Sequence, residues 1–175
     1  MRLNFRNAVA LSLLIALSLA GPLTSAQEKQ PSKIKASAIQ VMMIGADEIT
    51  LPAEFQVSLY EQLINQLQKK GSVFQHVYRD GDRTAATTAD LIALQCTVTS
   101  FKKGSETMRQ VTTVAGATSI TLLCQFRDQA GTSLLDRKIE GKVRFLGGNL
   151  KATYDFAKKA ATIAEQNFSP TAGGD

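Results

Sequence analysis

Residues 118–145 read TSITLLCQFRDQAGTSLLDRKIEGKVRF, and their alternation decides the fold class. In 118–127, Ile120, Leu122, Cys124 and Phe126 share one face, with Thr121, Gln125 and Arg127 mostly opposite. Asp128 to Gly131 (DQAG) has the composition of a turn. In 134–145, Leu135, Ile139, Val143 and Phe145 point inward, while Asp136, Lys138, Glu140, Lys142 and Arg144 point outward together with Leu134. A period of two with one polar face is the mark of antiparallel strands that are wet on one side.

The pattern continues upstream. Residues 90–101 alternate, with Ile92, Leu94, Cys96 and Val98 on one face and Ala93, Gln95, Thr97 and Thr99 on the other. Residues 36–44 are nearly continuously apolar, as in a central strand covered on both faces. Residues 72–79 (SVFQHVYR) form another strand after Gly71, which is expected to stop the preceding helix. That helix spans 52–69: Pro52 suits its first turn, and Phe55, Leu59, Tyr60, Leu63, Ile64 and Leu67 make one stripe at period 3.6. A second helix, 150–167, aligns Phe156, Ala157, Ala160, Ala161, Ala164 and Phe168, with Asn149 as its expected N-cap. The expected fold is α+β, a two-layer arrangement of β-α-β-β-β-β-α order. One mixed, mainly antiparallel sheet of about five strands carries two helices on one face.

The ends read differently. Residues 1–7 carry Arg2 and Arg6 and no acid, residues 8–20 are an apolar run, and Thr24-Ser25-Ala26 offers small residues before Gln27. A basic start, a short apolar run and a small-residue exit describe a secretory signal peptide over 1–26. The run is shorter than the roughly 20 residues a spanning helix needs, so no integral membrane span is expected after cleavage. Residues 27–33 read as a flexible leader, 34–168 as a single domain and 169–175 as a disordered tail. The localisation this implies is periplasmic or secreted. Removing Arg2 and Arg6 also takes the formal charge from +5 to +3. The remaining basic residues are scattered in pairs rather than gathered on one face, which argues against nucleic-acid binding.

The composition narrows the chemistry. With one His and two Cys, a Cys/His structural zinc site lacks ligands, and no cofactor motif is present. His76 lies in a strand with no nameable catalytic partner and reads as a packed or edge residue. Asp80-Gly81-Asp82 has the look of a calcium loop, but the twelfth position is Leu91, so it reads as a turn. Asn167-Phe168-Ser169 matches a glycosylation sequon and abuts Pro170; such matches are common by chance. Cys96 and Cys124 occupy the apolar faces of two strands expected to pair, in a chain expected to meet an oxidising compartment. They are a candidate disulfide if register places them opposite, and otherwise two buried thiols. The segment 102–118 (KKGSETMRQVTTVAGAT) is long for a hairpin loop. It lacks the spacing of a phosphate-binding loop. Its Lys102, Lys103 and Arg109 are candidate contacts for an acidic partner, unless the flanking strands extend into it.

From this segment onward the chain resembles a bacterial family of exported proteins, the domain of unknown function 4410 family. The shared features are a strand ending near Phe101, Gly104-Ser105, Arg109, a Gly-containing run through Gly116, and an alternating strand. Asp128-x-x-Gly131, a second strand, Phe145-Leu146-Gly147-Gly148 and a closing Ala-rich helix follow. The element order is also similar to that of small α/β domains in envelope-assembly proteins. The resemblance implies an exported domain and no catalytic residues. The sequence thus leads to an exported, non-enzymatic protein that binds another envelope protein. The alternatives are a binding protein for a small ligand or envelope polymer, or an enzyme whose site the sequence does not single out.

Overall fold

The sheet is ordered around two alternating strands, β4 (Leu91–Lys102) and β5 (Thr118–Arg127), which pair antiparallel in the middle of a five-stranded sheet. The computed structural model describes residues 32–46, 48–111, 116–143 and 148–171. The signal-peptide reading of 1–26, most of the leader, Phe145 to Gly147 and the last four residues lie outside the described residues. In chain order the elements are β1 (Ile34–Ala36), β2 (Ala38–Val41), α1 (Ala53–Gln68), β3 (His76–Arg79), a 3₁₀ turn (Arg83–Thr87) and β4. There follow α2 (Glu106–Val111), β5, β6 (Ser133–Val143), α3 (Lys151–Asn167) and β7 (Phe168–Pro170). The main sheet runs β3-β2-β4-β5-β6, with β2 parallel to both neighbours and β4, β5 and β6 antiparallel. The expected α+β architecture is therefore the observed one.

The alternation is converted directly into a core. Ile39 and Val41 of β2, Ile92, Leu94, Cys96 and Val98 of β4, and Ile120, Leu122, Cys124 and Phe126 of β5 are buried in one cluster. Against them pack Phe55, Leu59, Leu63, Ile64 and Leu67 of α1 and the alanines and Phe156 of α3. The two helices run parallel: Ser58 Oγ and Thr153 Oγ1 lie 2.6 Å apart near their N-termini, and Lys70 Nζ reaches Glu165 Oε2 at 2.5 Å beyond the far end of α1. The alanines of α3 and the missing side chain of Gly141 let this helix approach closely. A Cβ at Gly141 would stand 2.1 Å from the Ala152 carbonyl oxygen and 2.7 Å from Phe156 Cβ. At the sheet edge, α3 also satisfies backbone groups of β6 that have no further strand to pair with. The Lys142 amide donates to Asp155 Oδ2 (2.8 Å), and Lys159 Nζ donates to the Glu140 carbonyl (2.8 Å) while pairing with Asp155 (2.6 Å). This blunts an edge that would otherwise template aggregation.

Cys96 and Cys124 are bonded, their Cα atoms 4.1 Å apart and directly opposite in the β4–β5 register. The Cys96 carbonyl accepts from Gly45 N (3.0 Å), on the β2 side, so its backbone groups face away from β5. The pair is thus a non-hydrogen-bonded one, whose side chains come closest in an antiparallel ladder.

Several boundaries differ from the sequence reading. The first strand is two: β1 leaves the main sheet to pair parallel with β7, and β2 ends at Val41. Met42 to Gly45 continue alongside β4 irregularly, and Met43 is exposed. Ser169 and Pro170, expected in a disordered tail, are strand residues, and the Thr171 amide donates to the Ala36 carbonyl at 3.2 Å. Phe168 explains the anchoring: it is fully buried between Phe74 and Phe126, with ring centroids 6.0 and 5.2 Å away. In the leader, Lys33 Nζ donates to the Glu165 carbonyl (2.8 Å). Only His76–Arg79 of the 72–79 segment is strand, and Gly71 keeps a negative φ. Leu150, without a side-chain cap, occupies the position expected for Asn149. The aspartates of 80–82 serve structure: Asp82 caps the 3₁₀ turn through Thr84 N (3.0 Å), and Asp80 accepts from the Met43 amide (2.9 Å).

The short edge strand β3 is held by Arg79, whose guanidinium grips Glu61 at 2.6 and 2.8 Å and lies over the Tyr60 ring. The hydrogen bond from Arg79 holds the Glu61 carboxyl below its ordinary value. Any stabilisation from this pair is therefore present above the unfolded carboxylate value and lost as pH falls through the lower folded one.

Three outcomes are expected. Reducing Cys96–Cys124 lowers unfolding free energy by about 3–4 kcal/mol, read from urea midpoints with and without reductant. Gly141→Ala costs about 1–3 kcal/mol through overpacking, read the same way. In Arg79→Gln, the Glu61 titration followed by carboxyl-carbon NMR moves up toward the ordinary glutamate range.

Candidate functional site

The sequence singles out the 102–118 segment, and the fold places it between the end of β4 and the start of β5. Lys102 ends β4, Glu106–Val111 forms α2, and Thr118 starts β5. Because α1 and α3 are parallel, both start at this end: Glu54 of α1 lies 3.9 Å from Lys103 Nζ, and Asn149, just before α3, bonds to Thr118.

A chain of hydrogen bonds fixes the base of the segment. The Gly104 amide donates to Thr118 Oγ1 (3.0 Å), and the buried Thr118 hydroxyl donates to Asn149 Oδ1 (2.6 Å). Asn149 therefore ties the start of α3 to the hairpin rather than capping the helix. Gly104 is needed for close approach: a Cβ there would sit 2.0 Å from the Gly116 carbonyl oxygen. Beneath, Phe101 meets Phe55 edge-on with centroids 4.8 Å apart, joining β4 to α1. Ser105 Oγ accepts from the Met108 amide (3.3 Å), the bond expected of a Ser at a helix start.

On this base sit the exposed groups. Lys102 has no polar partner among the described residues, and Lys103 has only an exposed ion pair with Glu54 at 3.9 Å. Met108 on α2 is 46% exposed, and Leu150 and Tyr154, one turn apart on α3, are 42% and 45% exposed. Arg109 lies in α2, but its side chain is outside the described residues. The hairpin end thus combines cations that are not neutralised at close range with accessible apolar side chains.

Of the remaining candidates, Cys96 and Cys124 are 1% and 0% exposed and bonded to each other, so neither offers a thiol to chemistry. His76 lies on the outer strand of the sheet, exposed and stacked on the Tyr78 ring at 5.8 Å. Sequence reasoning missed α2 and the Gly104–Thr118–Asn149 link. The Ser105-to-Met108 spacing was the signal for the helix; the link joins residues far apart in sequence and leaves no local pattern.

No family model matches the chain, and no curated protein matches it. Solved structures share its fold. The PelC dodecamer from Paraburkholderia phytofirmans aligns with a TM-score of 0.57 at 13% identity, over 78% of this chain and 92% of that one. A second PelC dodecamer structure, of a variant from the same organism, gives 0.56 at 14% identity, over 77% and 93%. A hypothetical protein from Chlamydia trachomatis aligns at 0.47 and 8% identity, over 74% and 97%. At these identities the likeness is one of fold: the chain shares its architecture with the PelC structures.

Proposed function

We propose that this chain is an exported, non-enzymatic bacterial protein that binds another cell-envelope protein through the hairpin end at 102–118. The single observation that carries this reading is the joint exposure of Lys102, Lys103 and Met108 at one end of the sheet. A buried disulfide, the Gly104–Thr118–Asn149 bonds and the Phe55–Phe101 contact support a surface on which Lys102 has no polar partner among the described residues and Lys103 keeps only an exposed ion pair with Glu54. The disulfide also suits a periplasmic or secreted location. No helix among the described residues is long and apolar enough to cross a membrane. The resemblance to the domain of unknown function 4410 family points the same way. The partner expected is acidic where it meets Lys102 and Lys103, with an apolar centre against Met108.

A second reading is assembly with further copies of the same chain. It is favoured by the dodecameric state of the PelC structures that share the fold.

A photo-crosslinking residue at position 108, used in intact cells, tests both readings. One discrete heterologous crosslink, lost in Lys102→Glu/Lys103→Glu, supports the first. A ladder of self-crosslinks supports the second. No discrete product, or a product indifferent to the charge reversal, contradicts the proposed surface. The double variant is expected to weaken partner capture at least tenfold, with far-ultraviolet circular dichroism and melting temperature unchanged.

A further inference from the structure

The sheet face opposite the helices carries a second feature, at the other end of β4 and β5. Register places Gln40 of β2, Ala93 of β4 and Arg127 of β5 side by side on this face. Their strand neighbours Ile39, Val41, Leu94 and Phe126 all point into the helix-side core. The small Ala93 between two long side chains leaves a depression. The 3₁₀ turn, through Ala86, walls one side, and Asp128 to Gly131 wall another. The cleft has a volume of about 510 Å³, and Leu91 and Met42 give it an apolar lining.

Arg127 has an unusual environment for a cation. Its Nη2 donates to Gln125 Oε1 at 2.8 Å, a neutral amide, and its Nε is buried with no hydrogen-bond partner. Among the described residues no carboxylate lies within ion-pairing distance of it. A guanidinium nitrogen buried from water normally has a hydrogen-bond partner. The two glutamines of the cleft have their amide groups oriented by backbone carbonyls: Gln40 Nε2 donates to Arg79 O (3.1 Å) and Gln129 Nε2 to Thr88 O (2.7 Å). Neither Gln40 Oε1 nor Gln129 Oε1 accepts a hydrogen bond among the described residues.

We propose that this cleft binds a small monocarboxylate. Arg127 takes the carboxylate through its planar fork, the apolar lining takes the carbon skeleton, and the glutamine oxygens accept from hydroxyl or amino groups on it. Asp128, on the rim with Oδ1 accepting from Thr132 N (2.8 Å), sets the charge limit. Its negative charge disfavours a dianion, so a carboxylate is preferred over a phosphate. The site is independent of the hairpin end: it lies at the opposite ends of the same two strands.

The experiment is a titration of the disulfide-intact protein with acetate, L-lactate and L-alanine, with inorganic phosphate at matched ionic strength. The readout is the Arg127 Nε–H resonance, assigned by its loss in Arg127→Lys. Saturable movement with at least one carboxylate is expected, with phosphate at least tenfold weaker. Ala93→Leu, which fills the depression and keeps the cation, is expected to abolish the response. No saturable shift with any of the three carboxylates, phosphate binding as tightly, or an undiminished response in Ala93→Leu would each overturn the proposal.

Discussion

The pairing of Cys96 with Cys124 is the constraint on which the rest of the structure depends. Side chains alternate along a strand, so shifting β5 by one residue against β4 would turn Ile120, Leu122 and Phe126 out of the core and Ser119, Thr121 and Gln125 into it. The disulfide joins the one kind of cross-strand position where two side chains meet closely, and so excludes that slip. With the register fixed, the apolar face of the sheet is fixed, and the stripes of α1 and α3 have one surface on which to pack.

The same register organises both ends of the hairpin. Counting along β4 and β5 from the disulfide in one direction reaches Phe101 and Lys102, then the Gly104–Thr118 pinch that carries α2. Counting in the other direction reaches Ala93 beside Arg127 and the cleft above them. On the way from the disulfide to the hairpin end the ladder shifts register between Val98 and Ser100. Both surfaces are built on this one ladder.

Much of this was legible because period two is a strong signal where one face is buried and the other wet. Residues 118–127 occupy the strand expected from their alternation, and the stripe from Phe55 to Leu67 is the buried face of α1. Where the period fails, the reading fails. The run from Ala36 to Ile44 is apolar throughout, so nothing local marks Ser37 as the break between two sheets. β1 and β7 are three residues each, too short for any period, and pair across almost the whole chain. Asn149 looked like a helix cap because caps are local, whereas its partner Thr118 is distant in sequence. Arg127 passed as an ordinary outward residue, since alternation gives the face and not what roofs it. The 3₁₀ turn that makes this corner a cleft comes from the β3–β4 crossover, whose path only the tertiary structure gives.

The candidate hairpin site was visible as composition and its geometry was not. Lys102 and Lys103 stand out in the sequence, but their presentation depends on Gly104 fitting against Gly116 and on two helices beginning at the same end. The account as a whole stands on one covalent bond. Non-reducing peptide mapping of the purified protein by mass spectrometry tests it directly. The account predicts a single linked pair of peptides containing Cys96 and Cys124 that separates on reduction. Recovery of both cysteines as free, alkylatable thiols in the folded protein would contradict it.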